Sequence, residues 1–160
     1  MLTSATTLIK KLIVRKIITM SGDDKAFDSL EGEIWFDGKM LPWVEADVHV
    51  LTHGLHYASC VFEGERSYNG KIFKLREHTE RLIMSANALG FEIPYSADEI
   101  DEACVKICNV NGIVDGYIRP VAWRGSEMMG VSAQANTIHL AIAAWPWPSY
   151  FSPEARTKGI

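Results

Sequence analysis

The chain lacks several things that would place it at once. No apolar run in its 160 residues reaches the roughly 18 needed for a membrane-spanning helix, so no association with a membrane is expected. Cysteine is scarce. Cys60, Cys104 and Cys108 cannot all pair within one chain, which excludes a complete disulfide framework and reads as reduced thiols in a cytosolic-type protein. Positive charge is not in excess: the net charge is −4, which gives no reason to expect a nucleic-acid partner. Internal repeats and low-complexity tracts are absent. So are the Walker and G-x-S-x-G motifs, and Gly125–Gly130, GSEMMG, is neither a G-x-G-x-x-G nor placed between strand and helix. Acidic residues are missing from positions 1–22, which carry Lys10, Lys11, Arg15 and Lys16. That composition suits an organelle transit peptide, but arginine is sparse for one, and the preferred reading is that Met20 is the natural start. Positions 21–31 form a polar, acidic lead-in, so residues 1–31 are set aside as a disordered or non-native extension.

What remains is ordinary globular material, 48% hydrophobic and 22% charged. A chain of this length buries roughly 70% of its unfolded surface. Glu33–Phe36, Asp37-Gly38 and Lys39–Val44 read as a hairpin. Val61–Tyr68, Asn69-Gly70 and Lys71–Lys74 read as a second. The period then changes. Leu75, Leu82, Ala86 and Leu89 recur at helical spacing up to Gly90. Ser96 and Glu99 form a capping box that opens a helix with Ile100, Cys104, Ile107 and Val110 on its apolar face, closed by Asn111-Gly112. On that helix Cys104 and Cys108 read as buried small residues rather than metal ligands. Ile118–Trp123 and Thr137–Trp145 read as strands, and the proline-rich Pro146–Pro153 as a linker. The order predicts an α+β domain over 32–145 with a largely antiparallel sheet and flanking helices, followed by an interdomain linker at 146–160.

Few residues stand out for chemistry. His49, His53 and His56 have a spacing that could hold a metal on a helix, but Gly54 weakens a helix there, and polar contacts under a turn are preferred. Glu77 and Arg81 lie four apart on the first long helix. Spacing alone favours a surface ion pair; the alternative is that Arg81 grips a phosphate, a task suited to its planar fork. Tyr117 and Arg119 share one strand face, where they pack on the sheet or receive a carboxylate. Pro120 beside them cannot donate to a ladder, which predicts an edge or bulged strand. Phe62, Gly64 and Arg66 also share a face, and Gly64 marks a bulge or the close approach of another group. Trp145 and Trp147 are core or pocket wall.

Taken together, IWFDGKMLPW, VHVLTHGLHYASCVFEGERSY, FKLREHTERLIMSANALG, GYIRPVAWRGSEMMGV and the strand into AAWPWPSYF resemble the branched-chain aminotransferases of pyridoxal-phosphate (PLP) fold type IV, over about residues 33–160. The resemblance implies the small N-terminal domain of that fold and pyridoxal 5'-phosphate as cofactor. It implies transfer of the amino group of leucine, isoleucine or valine to 2-oxoglutarate. Arg81 in HTERL matches the residue that holds the PLP phosphate. Phe62 and Trp147 match pocket walls, Tyr117 the α-carboxylate residue, and Arg119 the residue that meets the side-chain carboxylate of glutamate. Tyr57 and Val131 match positions that reach a partner's site in the family dimer, with Arg66 close to the same boundary. The PLP lysine and its companions belong to the family's second domain, and Lys158 does not match, so the sequence is expected to stop before that lysine and to be inactive alone. A D-amino acid aminotransferase, an aminodeoxychorismate lyase and a non-catalytic half-domain that binds a separate C-terminal half are the alternatives. A cytoplasmic homo-oligomer acting on amino acids and 2-oxo acids is expected.

Overall fold

The computed structural model describes residues 26–147 and Lys158. The chain divides into two units, Met1–Leu30 and Glu31–Ile160. The described part of the first holds a single 3-10 turn at Phe27–Ser29. Readings that fall on 1–25, 148–157 or 159–160 lie outside the described residues.

The second unit runs β1 (Glu33–Phe36), β2 (Lys39–Pro42), α1 (His53–Tyr57), β3 (Cys60–Phe62), β4 (Glu65–Tyr68), β5 (Lys71–Ile72), α2 (Leu75–Ala88), α3 (Ala97–Val110), β6 (Gly116–Arg124) and β7 (Ile138–Pro146). The strands form one antiparallel sheet in the order β2-β1-β7-β6-β4-β5, with β3 also paired to β6. Both hairpin turns carry two residues at positive φ, Asp37 (46°) with Gly38 (85°) and Asn69 (50°) with Gly70 (73°). That backbone matches the twist of the flanking strands, which is why Asp-Gly and Asn-Gly are the residues used. β2 stops at Pro42 rather than running to Val44, because Trp43–Glu45 turns into a 3-10 helix. β7 runs one residue past the expected strand end, to Pro146, and most of the expected linker at 146–160 lies outside the described residues.

The expected single strand over 61–68 is two strands. Both pair with β6 in one register, Phe62 opposite Val121 and Glu65 opposite Ile118, so no residue is inserted. The gap at Glu63–Gly64 lies opposite Pro120 and Arg119. The Glu63 amide donates to the Pro120 carbonyl at 3.0 Å. Proline has no N–H to return the bond, so the ladder lapses there. β6 lies inside the sheet, between β7 and β3–β4, which corrects the edge-or-bulge expectation for Pro120.

α2 ends at Gly90, whose φ is 74°, and α3 opens with the full capping box of Ser96 and Glu99. The two helices are tied by Arg76, which bonds Asp98 and Asp101, and by the Thr79 hydroxyl, which donates to Asp101 at 2.6 Å. Strand alternation then sorts the residues of the two central strands. Ile118, Leu140 and Ile142 face the helices and are fully buried with Leu82, Ile100 and Ile107. Each contributes about 2 kcal/mol by burial. Val110 is exposed, so the buried stripe of α3 is Ile100, Ala103, Cys104, Ile107 and Cys108 rather than the expected set. The alternate residues Tyr117, Arg119, Val121 and Trp123 are left for the other face of the sheet.

Candidate functional site

On that second face, a cavity of 310 Å³ is lined by Ile34, Phe36, Val48, Leu55, Cys60, Val121, Trp123, Ala141 and Ala143 among others, with Arg119 as its cation. Burial pushes the Cys60 thiol upward, so it sits there as a neutral, small side chain. Arg119 donates from Nη2 to the Tyr117 hydroxyl at 2.9 Å, and its guanidinium carbon lies 4.2 Å from the Phe62 ring centre. Its Nε is buried and has no hydrogen-bond partner among the described residues. A buried N–H without an acceptor costs about 1–3 kcal/mol, and an anion beside it would recover that cost.

Tyr117 is held on both sides. Its ring lies 5.1 Å from Trp145 and 5.3 Å from Trp147. Arg66 donates to the Trp147 carbonyl at 2.9 Å, anchoring the chain as it leaves β7. Gly64 was expected to admit a close approach, and the approaching group is the Tyr117 phenol: an added Cβ would overlap its hydroxyl. Phe62, Arg66, Tyr117, Arg119 and Trp147 therefore come together as one cluster.

Arg81 stands apart from that cluster and does not pair with Glu77, which bonds Lys74 instead. Arg81 donates to Glu63 through Nε at 2.5 Å and through Nη2 at 2.6 Å. Glu63 is 5% exposed, and His78 Nδ1 lies 2.8 Å from its Oε2. Burial pushes the Glu63 carboxyl up, but the hydrogen bonds and charge of Arg81 and His78 outweigh it and hold the carboxyl below its ordinary value. Glu63 was not singled out from the sequence. The available signal was a pair of acids, Glu63 and Glu65, on the core-facing positions of a strand run, where a charge needs a partner.

Residues 53–57 are helical despite Gly54, and the three histidines diverge. His49 accepts from the Leu51 amide, His56 meets the Val50 carbonyl, and buried His53 spans Ser59 and the Gly130 carbonyl. Among the described residues no group of His, Cys, Asp or Glu is arranged to hold a metal ion. Tyr57 stacks on His53 with ring centres 4.5 Å apart and donates to the Met129 carbonyl, while Val131 is 86% exposed. Neither Tyr57 nor Val131 touches the Arg119 cluster.

Residues 60–159 match the family described as amino-transferase class IV. The chain is 49% identical over 127 residues to a probable branched-chain-amino-acid aminotransferase of Rickettsia felis, covering 79% of this chain and 42% of that protein. It is 46% identical over 134 residues to the branched-chain-amino-acid aminotransferase of Pseudomonas aeruginosa, covering 81% and 44%. The Escherichia coli branched-chain amino acid aminotransferase superposes with a TM-score of 0.73 at 40% identity, over 79% of this chain and 43% of that one. The T.th. branched-chain amino acid aminotransferase with pyridoxamine 5'-phosphate gives 0.74 at 40%, over 79% and 43%. The chain thus spans less than half the length of these relatives and has the α+β fold of their N-terminal part. A match that runs from β3 through β7, over more than half the residues, makes this chain a member of the class IV aminotransferase family.

Proposed function

We propose that the chain supplies the small domain of a PLP-dependent aminotransferase that moves the amino group of a branched-chain amino acid to 2-oxoglutarate. One observation carries the reading: a half-buried guanidinium with an unpartnered, buried Nε beside an apolar cavity. A site for leucine and for glutamate must take an aliphatic side chain and an acid in turn. An arginine on an apolar wall serves both, because its stem is apolar and its head is charged. In this reading Tyr117 takes the α-carboxylate, Arg119 the side-chain carboxylate of glutamate, and Phe62 and Trp147 form the walls. Arg66 holds Trp147 at the boundary that Tyr57 and Val131 of a second copy approach. A homodimer in the cytoplasm fits the exposed apolar residues and the free thiols.

The residues present fit the phosphate end of the cofactor. Arg81 is engaged side-on by Glu63, and its Nη1 makes no hydrogen bond among the described residues. The end-on fork is therefore available to an oxyanion. When bound, PLP supplies the electron sink for the reaction. We assign the PLP-bonding lysine to none of the nine lysines of this chain. Lys158, the one nearest the C-terminus, is exposed.

The test is a comparison of two substrates in the intact natural enzyme. Arg119→Ala should cut kcat/KM for glutamate or 2-oxoglutarate at least tenfold more than for leucine, since leucine brings no side-chain charge for the guanidinium to meet. Equal losses on both would assign Arg119 to holding the strand instead.

A further inference from the structure

We propose that Glu63 is a positioning residue for phosphate binding: it locks the Arg81 guanidinium side-on so that the end-on fork faces the phosphate. This deepens, and rests on, the reading of Arg81 as the phosphate residue. Arg81 is long and its side chain is 58% exposed, so by itself it would sample many rotamers. An arginine is rich in rotamers, and a phosphate that has to order it loses affinity.

Glu63 removes the freedom beforehand. It takes the Nε hydrogen and one Nη2 hydrogen, which fixes both the place and the plane of the guanidinium. The second Nη2 hydrogen and one Nη1 hydrogen form the end-on pair, in the plane that Glu63 fixes and suited to two phosphate oxygens, with His78 Nδ1 3.2 Å from Nη2 beside them. Glu63 is itself fixed from three directions. It is buried, its amide is bonded to the Pro120 carbonyl, and His78 meets its Oε2. A carboxylate accepts only, so Nδ1 of His78 carries the hydrogen of that bond. The ladder gap made by Pro120 is thus where the device is mounted. Phe62 before it and Gly64 after it face the Arg119 cluster, while Glu63 between them faces Arg81. One three-residue segment serves both ends of the proposed site.

Glu63 also carries a negative charge, which opposes a nearby phosphate. Prealignment outweighs this repulsion, and the two effects have opposite signs in experiment. The probes are pyridoxal phosphate and phosphate-free pyridoxal, titrated by absorbance into the intact natural protein and its variants. Glu63→Ala should weaken pyridoxal phosphate binding about tenfold or more and leave pyridoxal within about twofold. Glu63→Gln, which still offers Nε an acceptor, should fall between Ala and the native residue. If Glu63→Ala does not fold, Glu63→Gln and Glu63→Asp carry the comparison against the native protein. Pyridoxal phosphate affinity that is unchanged or tighter in the variants overturns the proposal, because relief of repulsion then dominates. A parallel loss of pyridoxal affinity also overturns it, since a general structural role moves both probes. Arg81→Ala separates the two layers. Undiminished phosphate affinity in that variant rejects the underlying reading, whereas its loss there without any loss in the Glu63 variants rejects only the role of Glu63.

Discussion

At Gly64 a strand passes so close to a phenol that a methyl group has no room. A Cβ would meet the Tyr117 hydroxyl, which is the acceptor of the Arg119 hydrogen bond. Gly64→Ala should therefore cost about 1–3 kcal/mol of stability, the usual range for forcing an extra methyl into packed surroundings. The clash has a named atom, so it has a named remedy. Tyr117→Phe in the Gly64→Ala background should recover part of that loss in a denaturation experiment. A double variant no more stable than Gly64→Ala would show that the glycine is required for backbone conformation instead. The close approach itself was legible, since a glycine inside a strand run admits little else. The approaching group was not. Tyr117 lies across the sheet from Gly64, and contacts between strands are set by register rather than by local spacing. The Glu63–Arg81 pair escaped for a similar reason: eighteen residues separate its members, and Glu77, one helical turn from Arg81, offered a false local partner.

At the scale of elements, the turns, both long helices and the capping box were readable because each rests on a local rule. Positive φ selects Asp-Gly and Asn-Gly, and orphan helix N–H groups select Ser with Glu. What local rules missed is how the elements sort their polar residues. β4 turns Glu65 toward α3, where it is 1% exposed and neither carboxyl oxygen has a hydrogen-bond partner among the described residues. Burial, and then the nearby charges of Glu63 and Asp101, raise its pKa from 4.5 to about 8. Cys104 and Cys108 of α3 lie in the same region, and burial raises both thiols too, so they stay neutral across the range of interest. The consequence for stability has a definite sign. Below about pH 4.5 Glu65 is neutral in both folded and unfolded chains and contributes no penalty. Between about 4.5 and about 8 folding must take up a proton, so stability falls as pH rises; above that range the full penalty remains. Glu65→Gln, neutral at every pH, should raise stability at pH 8 relative to the native protein by ~2 kcal/mol or more, and by much less at pH 5. Urea denaturation at both pH values measures the difference. The same increment at both would mean that folding does not raise the pKa of Glu65.

Over the second unit as a whole, the distribution of apolar surface is uneven. The helix face of the sheet is closed by α2 and α3, but the segment around α1 leaves Val50, Leu55 and Tyr57 exposed, and the loop after β6 leaves Met128 and Val131 exposed. The two segments are bound together, since His53 reaches the Gly130 carbonyl and Tyr57 the Met129 carbonyl. The two segments are therefore held beside each other rather than as two loose loops. Exposed apolar residues gathered on neighbouring segments suit an interaction site. Under the proposed function a second copy of the chain is the occupant, with Tyr57 and Val131 at the contact. The native protein should then be a dimer or larger by light scattering at tens of micromolar. Leu55→Asp together with Val131→Asp should weaken that association by tenfold or more, because each places an ionised group in an apolar contact. Val105→Asp, on the exposed side of α3, should leave it unchanged and controls for the added charge. A native protein that is monomeric at that concentration would refute self-association. A dimer weakened equally by Val105→Asp would move the interface to the helix face, where no residue of the proposed site could be shared between subunits through Tyr57 or Val131.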